Sequence, residues 1–99
     1  MPKNKDALIR YRVINKCFLE KKNVTLKELV TACEEALDIS PLSERTIEAD
    51  IRAMRYDRGL GYNAPIKMNR SKGVYYYEDP AYSIDNIPLN EEELDSLLF

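Results

Sequence analysis

The chain has 99 residues, 44% of them hydrophobic, which is enough for one domain with a single core and no second one. It contains no histidine, so a Ser-His-Asp or Cys-His triad is excluded and the commonest zinc-ligand sets lose a member; with no paired-acid constellation or phosphate-cradling Gly-rich loop, neither an enzyme nor a cofactor is expected. The formal charge of −2 conceals a partition: residues 1–77 hold all 15 Lys and Arg against 10 Asp and Glu, a net +5, whereas residues 78–99 hold 7 acids and no base, a net −7.

Lys3, Lys5, Arg10, Arg12 and Lys16 break up any signal-peptide core, and no apolar run reaches membrane-spanning length, so a cytoplasmic protein without a membrane partner is expected. From Asp6 to Lys22 the pattern is helical, with Ala7, Tyr11, Ile14 and Phe18 on one face and Leu8 and Cys17 on its flanks. Ile9 and Val13 lie roughly opposite. Two explanations fit that second stripe equally: a dimer contact, or the acidic tail folded back over it. Cys17 and Cys33 sit on apolar helical stripes without CxxC spacing and read as small buried thiols.

Thr25 and Glu28 form a capping box, flanked by Val24 and Leu29 at the staple positions, so a second helix starts at Leu26. Leu29, Val30, Cys33, Ala36 and Leu37 give it an apolar stripe, and Ser40-Pro41 stops it near Asp38. A third helix is expected over residues 43–58, with Ser43 as N-cap and Gly59 as a left-handed C-terminal stop. Ile47, Ile51 and Met54 form its packed stripe, and Arg45, Ala49, Arg52 and Tyr56 fall opposite. Two capped helices joined by a turn of about four residues match the helix-turn-helix arrangement, whose second helix enters a DNA major groove.

Beyond Gly59, Pro65–Asn69 and Val74–Glu78 read as two short strands around Arg70-Ser71-Lys72-Gly73, a β-hairpin with a basic tip. Ile66, Met68, Tyr75 and Tyr77 are expected to face the helices, leaving Arg70 and Lys72 projecting as a wing towards phosphate or a minor groove. The last segment is irregular through Pro80, Tyr82, Ile84 and Pro88, and then starts a helix with Asn90 as cap and Glu93 completing the box. Leu94, Leu97, Leu98 and Phe99 form an apolar face with nothing downstream to complete it. A truncated longer regulator is therefore expected, with this helix docked near the first one.

The run Ser43-x-Arg45-Thr46-Ile47-x-x-Asp50-Ile51, followed by Asn63-Ala64-Pro65-Ile66 and by Gly73-x-Tyr75-Tyr76, resembles the winged helix-turn-helix of bacterial DeoR-like regulators. More closely, with Tyr82-Ser83-Ile84 and Leu89 to Leu94 after it, the chain resembles the N-terminal part of WYL-domain transcriptional regulators. The resemblance implies that Ser43, Arg45 and Thr46 contact DNA, that Asp50 belongs to the motif, that the wing touches the backbone, and that an effector ligand binds a C-terminal region absent from this chain. One departure is Glu48-Ala49, where related helices carry basic residues. Glu48 has two candidate roles, an i+4 pair with Arg52 and acceptance from a cytosine amino group.

The expected fold is mainly α with a small β-hairpin: a three-helix winged helix-turn-helix over residues 1–79, then an acidic linker and helix start over 80–99. The expected function is sequence-specific binding of double-stranded DNA in transcription regulation, the intact protein being a homodimer. The candidate DNA-contacting residues are Ser43, Arg45, Thr46, Glu48, Ala49, Arg52 and Arg55 on the third helix, with Arg70 and Lys72 on the wing spanning residues 66–77. The alternative is a winged helix used only for protein assembly, which would carry apolar residues where these charges stand.

Overall fold

In the computed structural model, residues 5–86 are described, and the expected helix at 90–99 lies outside them. Three helices, α1 (Lys5–Lys21), α2 (Leu26–Leu37) and α3 (Glu44–Tyr56), pack with a three-stranded antiparallel sheet made of β1 (Val24–Thr25), β2 (Ile66–Asn69) and β3 (Val74–Tyr77). A single 3₁₀ turn follows at Ile84–Asn86. This is the three-helix winged-helix arrangement. Among the described residues, no helix is long and apolar enough to cross a membrane.

Each helix buries the stripe that its periodicity marks. Ala7, Tyr11, Ile14 and Phe18 of α1 meet Leu29, Val30 and Cys33 of α2 and Ile47, Ile51 and Met54 of α3 in one core, closed from the sheet side by Val24 and Ile66. The apolar stripe of α2 is shorter than expected. Ala36 is exposed and Leu37 half-buried, because the helix runs past the edge of the core after Cys33. The second stripe of α1 is also reduced: Val13 packs against the domain's own core, whereas Ile9 stays exposed. Burial pushes the Cys33 thiol up to about 12 and also raises Cys17, which keeps both cysteines in the unreactive thiol form.

The helix ends are set locally. Thr25 Oγ1 accepts from the Glu28 amide at 3.1 Å while Glu28 Oε1 accepts from the Thr25 amide at 3.0 Å, closing the capping box. The same carboxylate takes the Lys21 ammonium at 2.6 Å, tying the end of α1 to the start of α2. Val24 and Thr25 do double duty as a short strand, which the sequence reading does not contain: they pair with Tyr75 and Val74, making β3 the central strand in the order β1-β3-β2. At the other end of α2, Asp38 takes the left-handed conformation, and Glu34 staples the turn by accepting from the Leu42 amide at 2.8 Å.

The third helix ends two residues early. Its C-cap is Asp57 in an extended conformation, and Asp57 Oδ1 accepts from the amides of Gly59 at 2.7 Å and Leu60 at 3.3 Å. An aspartate turn therefore replaces the expected glycine stop, and positive φ is found instead at Gly61 and Asn63. The hairpin pairs Ile66 with Tyr77 and Met68 with Tyr75, with Gly73 at φ 66° in its turn. Met68 does not reach the helices. It is 49% exposed, since the strand has left the core by that point and only Ile66 of the β2 pair is buried.

A polar contact fixes α3 against α1. Arg10 Nε donates to Asp50 Oδ2 at 2.6 Å and Nη2 donates to Oδ1 at 3.2 Å, with side-chain exposures of only 13% and 6%. A second buried cluster joins α1 to the sheet and to the segment after the wing. Tyr77 Oη donates to Asn15 Oδ1 at 2.6 Å, the Ile84 amide donates to the same oxygen at 3.1 Å, and Asn15 Nδ2 donates to Ser83 Oγ at 3.1 Å. Tyr82 stacks edge-on to Tyr77 and donates to the Tyr62 carbonyl at 2.7 Å. Residues 82–85 are thereby bound into the domain.

Two outcomes follow. Asp50→Ala leaves a buried guanidinium without its carboxylate and is expected to cost about 3–5 kcal/mol in urea denaturation; Arg10→Met with Asp50→Leu is expected to recover most of that loss, and a double variant as unstable as the single one would refute the assignment. Glu28 is held well below the usual carboxylate range, at about 2, by Lys21 first and then by the Thr25 amide and hydroxyl. A depressed folded-state value means the stabilisation is present above about pH 4.5 and lost as pH falls towards 2. Acid titration of stability is expected to show this loss in the wild type and a flatter profile in Glu28→Gln.

Candidate nucleic-acid interface

Ser43 begins the site. Its Oγ accepts from the Thr46 amide at 3.1 Å, so the first turn of α3 is capped by a side chain and its N-terminus faces outward. The outward positions follow from the packed ones: with Ile47, Ile51, Met54 and Asp50 buried, Arg45, Glu48, Ala49, Arg52 and Tyr56 are exposed. Thr46 and Arg55 are half-buried at the margins of that face. The Arg55 guanidinium carbon lies 4.8 Å from the centre of the Tyr56 ring, a cation–π contact at the C-terminal end of the face.

The wing stands beside this helix through its middle strand. Burial raises the Tyr75 phenol of β3, the Glu48 carboxylate adds to the rise, and the Arg55 guanidinium opposes it, so the two helix charges act on a wing residue through space. The loop between α3 and β2 is drawn back by the Ala64 amide, which donates to the Met54 carbonyl at 2.9 Å. At the far end of the hairpin, Asn69 holds the turn: its carbonyl accepts from Gly73 at 2.8 Å and its side-chain oxygen from Lys72 at 3.2 Å. Arg70 and Lys72 are both exposed there.

Of the sequence-based candidates, Ser43, Arg45, Glu48, Ala49 and Arg52 are exposed on α3 or at its start, Thr46 and Arg55 sit half-buried at opposite margins of that face, and Arg70 and Lys72 occupy the tip of the hairpin. The pair expected between Glu48 and Arg52 is not formed. The ion pairs among the described residues are Arg10–Asp50, Lys21–Glu28 and Lys67–Glu78, and Glu48 belongs to none of them. The Arg10–Asp50 pair has a weak trace in the sequence, since Arg10 directly precedes Tyr11 of the apolar stripe and so flanks the packed face of α1. Tyr75, expected to face the helices and part of the Gly73-x-Tyr75-Tyr76 run, also feels the charges of Glu48 and Arg55, which has no local signature in the sequence. Among the described residues, no group of three His, Cys, Asp or Glu side chains could hold a metal ion.

The family model described as the WYL domain-containing protein, N-terminal winged helix domain, matches residues 6–78. No match is found among curated proteins or among solved structures. The matched range begins in the first turn of α1 and ends one residue after β3, so it takes in the Arg10–Asp50 clamp, the exposed face of α3 and the whole wing. The chain therefore belongs to the WYL domain-containing proteins, as their N-terminal winged helix domain.

Proposed function

We propose that this domain binds duplex DNA sequence-specifically, with α3 in the major groove and the wing on the backbone or in the adjacent minor groove. The observation that carries this reading is the one-sidedness of α3: Arg45 and Arg52 stand exposed on the face opposite its buried stripe, at a helix whose N-terminus is capped and open. Arginine can bond bidentately to guanine there, and the first-turn amides suit phosphate. Family membership supports the same reading. The nine contact residues act in two groups: Ser43, Arg45, Thr46, Glu48, Ala49, Arg52 and Arg55 meet the groove and its edges, and Arg70 and Lys72 neutralise phosphates.

The whole-chain charge of −2 does not oppose this role, because residues 1–77, which carry the helix face and the wing, hold 15 basic against 10 acidic residues, a net +5. The intact protein would act as a homodimer on paired half-sites, with Ile9, the exposed member of the Ile9–Val13 stripe, open for a contact.

Titrating duplex binding against salt tests the proposal. Lys72→Ala is expected to lower the log–log slope by about 0.9 with sequence preference unchanged. Arg45→Ala is expected to relax preference at one base pair at a cost of about 1–3 kcal/mol. Identical binding of the wild type and the Arg45→Ala, Arg52→Ala double variant to every duplex would remove the proposal. Sedimentation of the wild type and Ile9→Lys at high concentration addresses the dimer: association in the first and its loss in the second is expected, and a monomer in both, with bound sites lacking symmetry, would refute it.

A further inference from the structure

We infer that Glu48 is a base-specificity residue of the α3 face and takes a cytosine in the major groove as its partner; the inference rests on the DNA-binding reading above. Glu48 is exposed in the middle of a basic face, one turn after Arg45 and one turn before Arg52, with Arg55 a further turn along. Spacings of three and four residues put Arg45 and Arg52 within reach of its carboxylate. None of them forms an ion pair with it. Its carboxylate is therefore engaged by no ion pair among the described residues and stays exposed on that face.

A carboxylate carried into a DNA groove has two destinations. Beside the phosphates it meets like charge. Against the base edges it meets fixed donors and acceptors, and an ionised carboxylate can only accept. Guanine presents two acceptors, thymine an acceptor and a methyl group, and adenine an acceptor beside its donor, whereas cytosine presents a donor alone. Glu48 thus gains a hydrogen bond from cytosine and repels guanine and thymine, which makes it a selecting group as much as an attracting one. Arg45 and Arg52 complement it, since the acceptors of guanine are what arginine bonds. The face as a whole then favours G·C pairs, with Glu48 setting which strand carries the cytosine at its own position.

Selection of bound sequences from random duplexes, run with the wild type, Glu48→Ala and Glu48→Gln, tests the inference. Both variants alter an exposed side chain outside the ion-pair network, and circular dichroism checks their fold. The wild type is expected to require cytosine at one position by about 5- to 150-fold over the other bases. Glu48→Ala is expected to lose that discrimination while keeping the rest of the site. Glu48→Gln is expected to move the position towards adenine, because a carboxamide offers the donor and acceptor that adenine matches. The same selected site for all three proteins, with affinity raised uniformly in Glu48→Ala, would overturn the inference and leave Glu48 as a repulsive charge. A wild type that binds no duplex would instead remove the DNA-binding reading on which it stands.

Discussion

The Arg10–Asp50 pair fixes the rotation of α3 about its own axis. Hydrophobic packing of Ile47, Ile51 and Met54 holds the helix down but tolerates small rolls, since apolar contacts are non-directional. A bidentate guanidinium–carboxylate contact with a 2.6 Å bond is directional in both distance and plane. Asp50 lies roughly 140–160° around the helix from Arg45 and Arg52, so turning Asp50 towards α1 turns those arginines towards solvent. A buried ion pair is seldom a net stabiliser against a well-packed apolar alternative. Its contribution here is orientation.

The first helix serves as the common support. Its apolar stripe is flanked by two polar clamps on opposite sides: Arg10 holds α3, and Asn15 holds the wing strand through Tyr77 and the post-wing segment through Ser83 and Ile84. Asn15 uses both ends of its amide, with the oxygen accepting twice and the nitrogen donating once. Among the described residues, no buried side-chain nitrogen or oxygen is left without a partner, which is the condition under which such a buried polar cluster rigidifies a fold. Chain direction after the wing is therefore set by α1 rather than by the loop that precedes it. Displacing residues 82–85 would break bonds to the same helix that orients α3.

What was legible in the sequence was local. The Thr25–Glu28 box, the Ser43 cap, the buried stripes of α1 and α3 and the hairpin turn at Gly73 each depend on residues within one or two turns of one another, and the structure has all of them. The Glu48–Arg52 pair, one of the two roles open to Glu48, is equally local yet not formed, because i, i+4 spacing allows a contact worth only about 0.3–0.5 kcal/mol and does not compel it. Asp57 shows a different limit: both an aspartate turn and a glycine stop end a helix, and Asp57-Arg58-Gly59 contains the residues for either. The Arg10–Asp50 and Asn15–Ser83 contacts span 40 and 68 residues and carry no periodic trace. The two-residue strand β1 was hidden because Val24 and Thr25 were already explained as staple and cap. Of the candidate interface, its exposed helix face was legible from periodicity, whereas the neighbourhood of Tyr75, Glu48 and Arg55 required the tertiary fold.

The titratable groups constrain how such a face can be controlled. The chain has no histidine, and the following groups, perturbed by the fold, move away from neutrality: Glu28 down to about 2, Cys33 up to about 12, Cys17 and the phenols of Tyr62, Tyr75, Tyr77 and Tyr82 upward, and Arg10 and Lys21 upward as well. Protonation near neutral pH therefore gives these side chains no means of altering the charge of α3 or the wing. Burial that raises both cysteines lowers the thiolate fraction on which thiol chemistry depends, most strongly at the fully buried Cys33. Two levers remain: ionic strength, which screens the exposed cations of α3 and the hairpin tip, and geometry, which acts through α1. Geometry is the more specific of the two, because Asn15 and Arg10 stand on the same helix, α1, and Arg10 is the residue that holds Asp50 of α3.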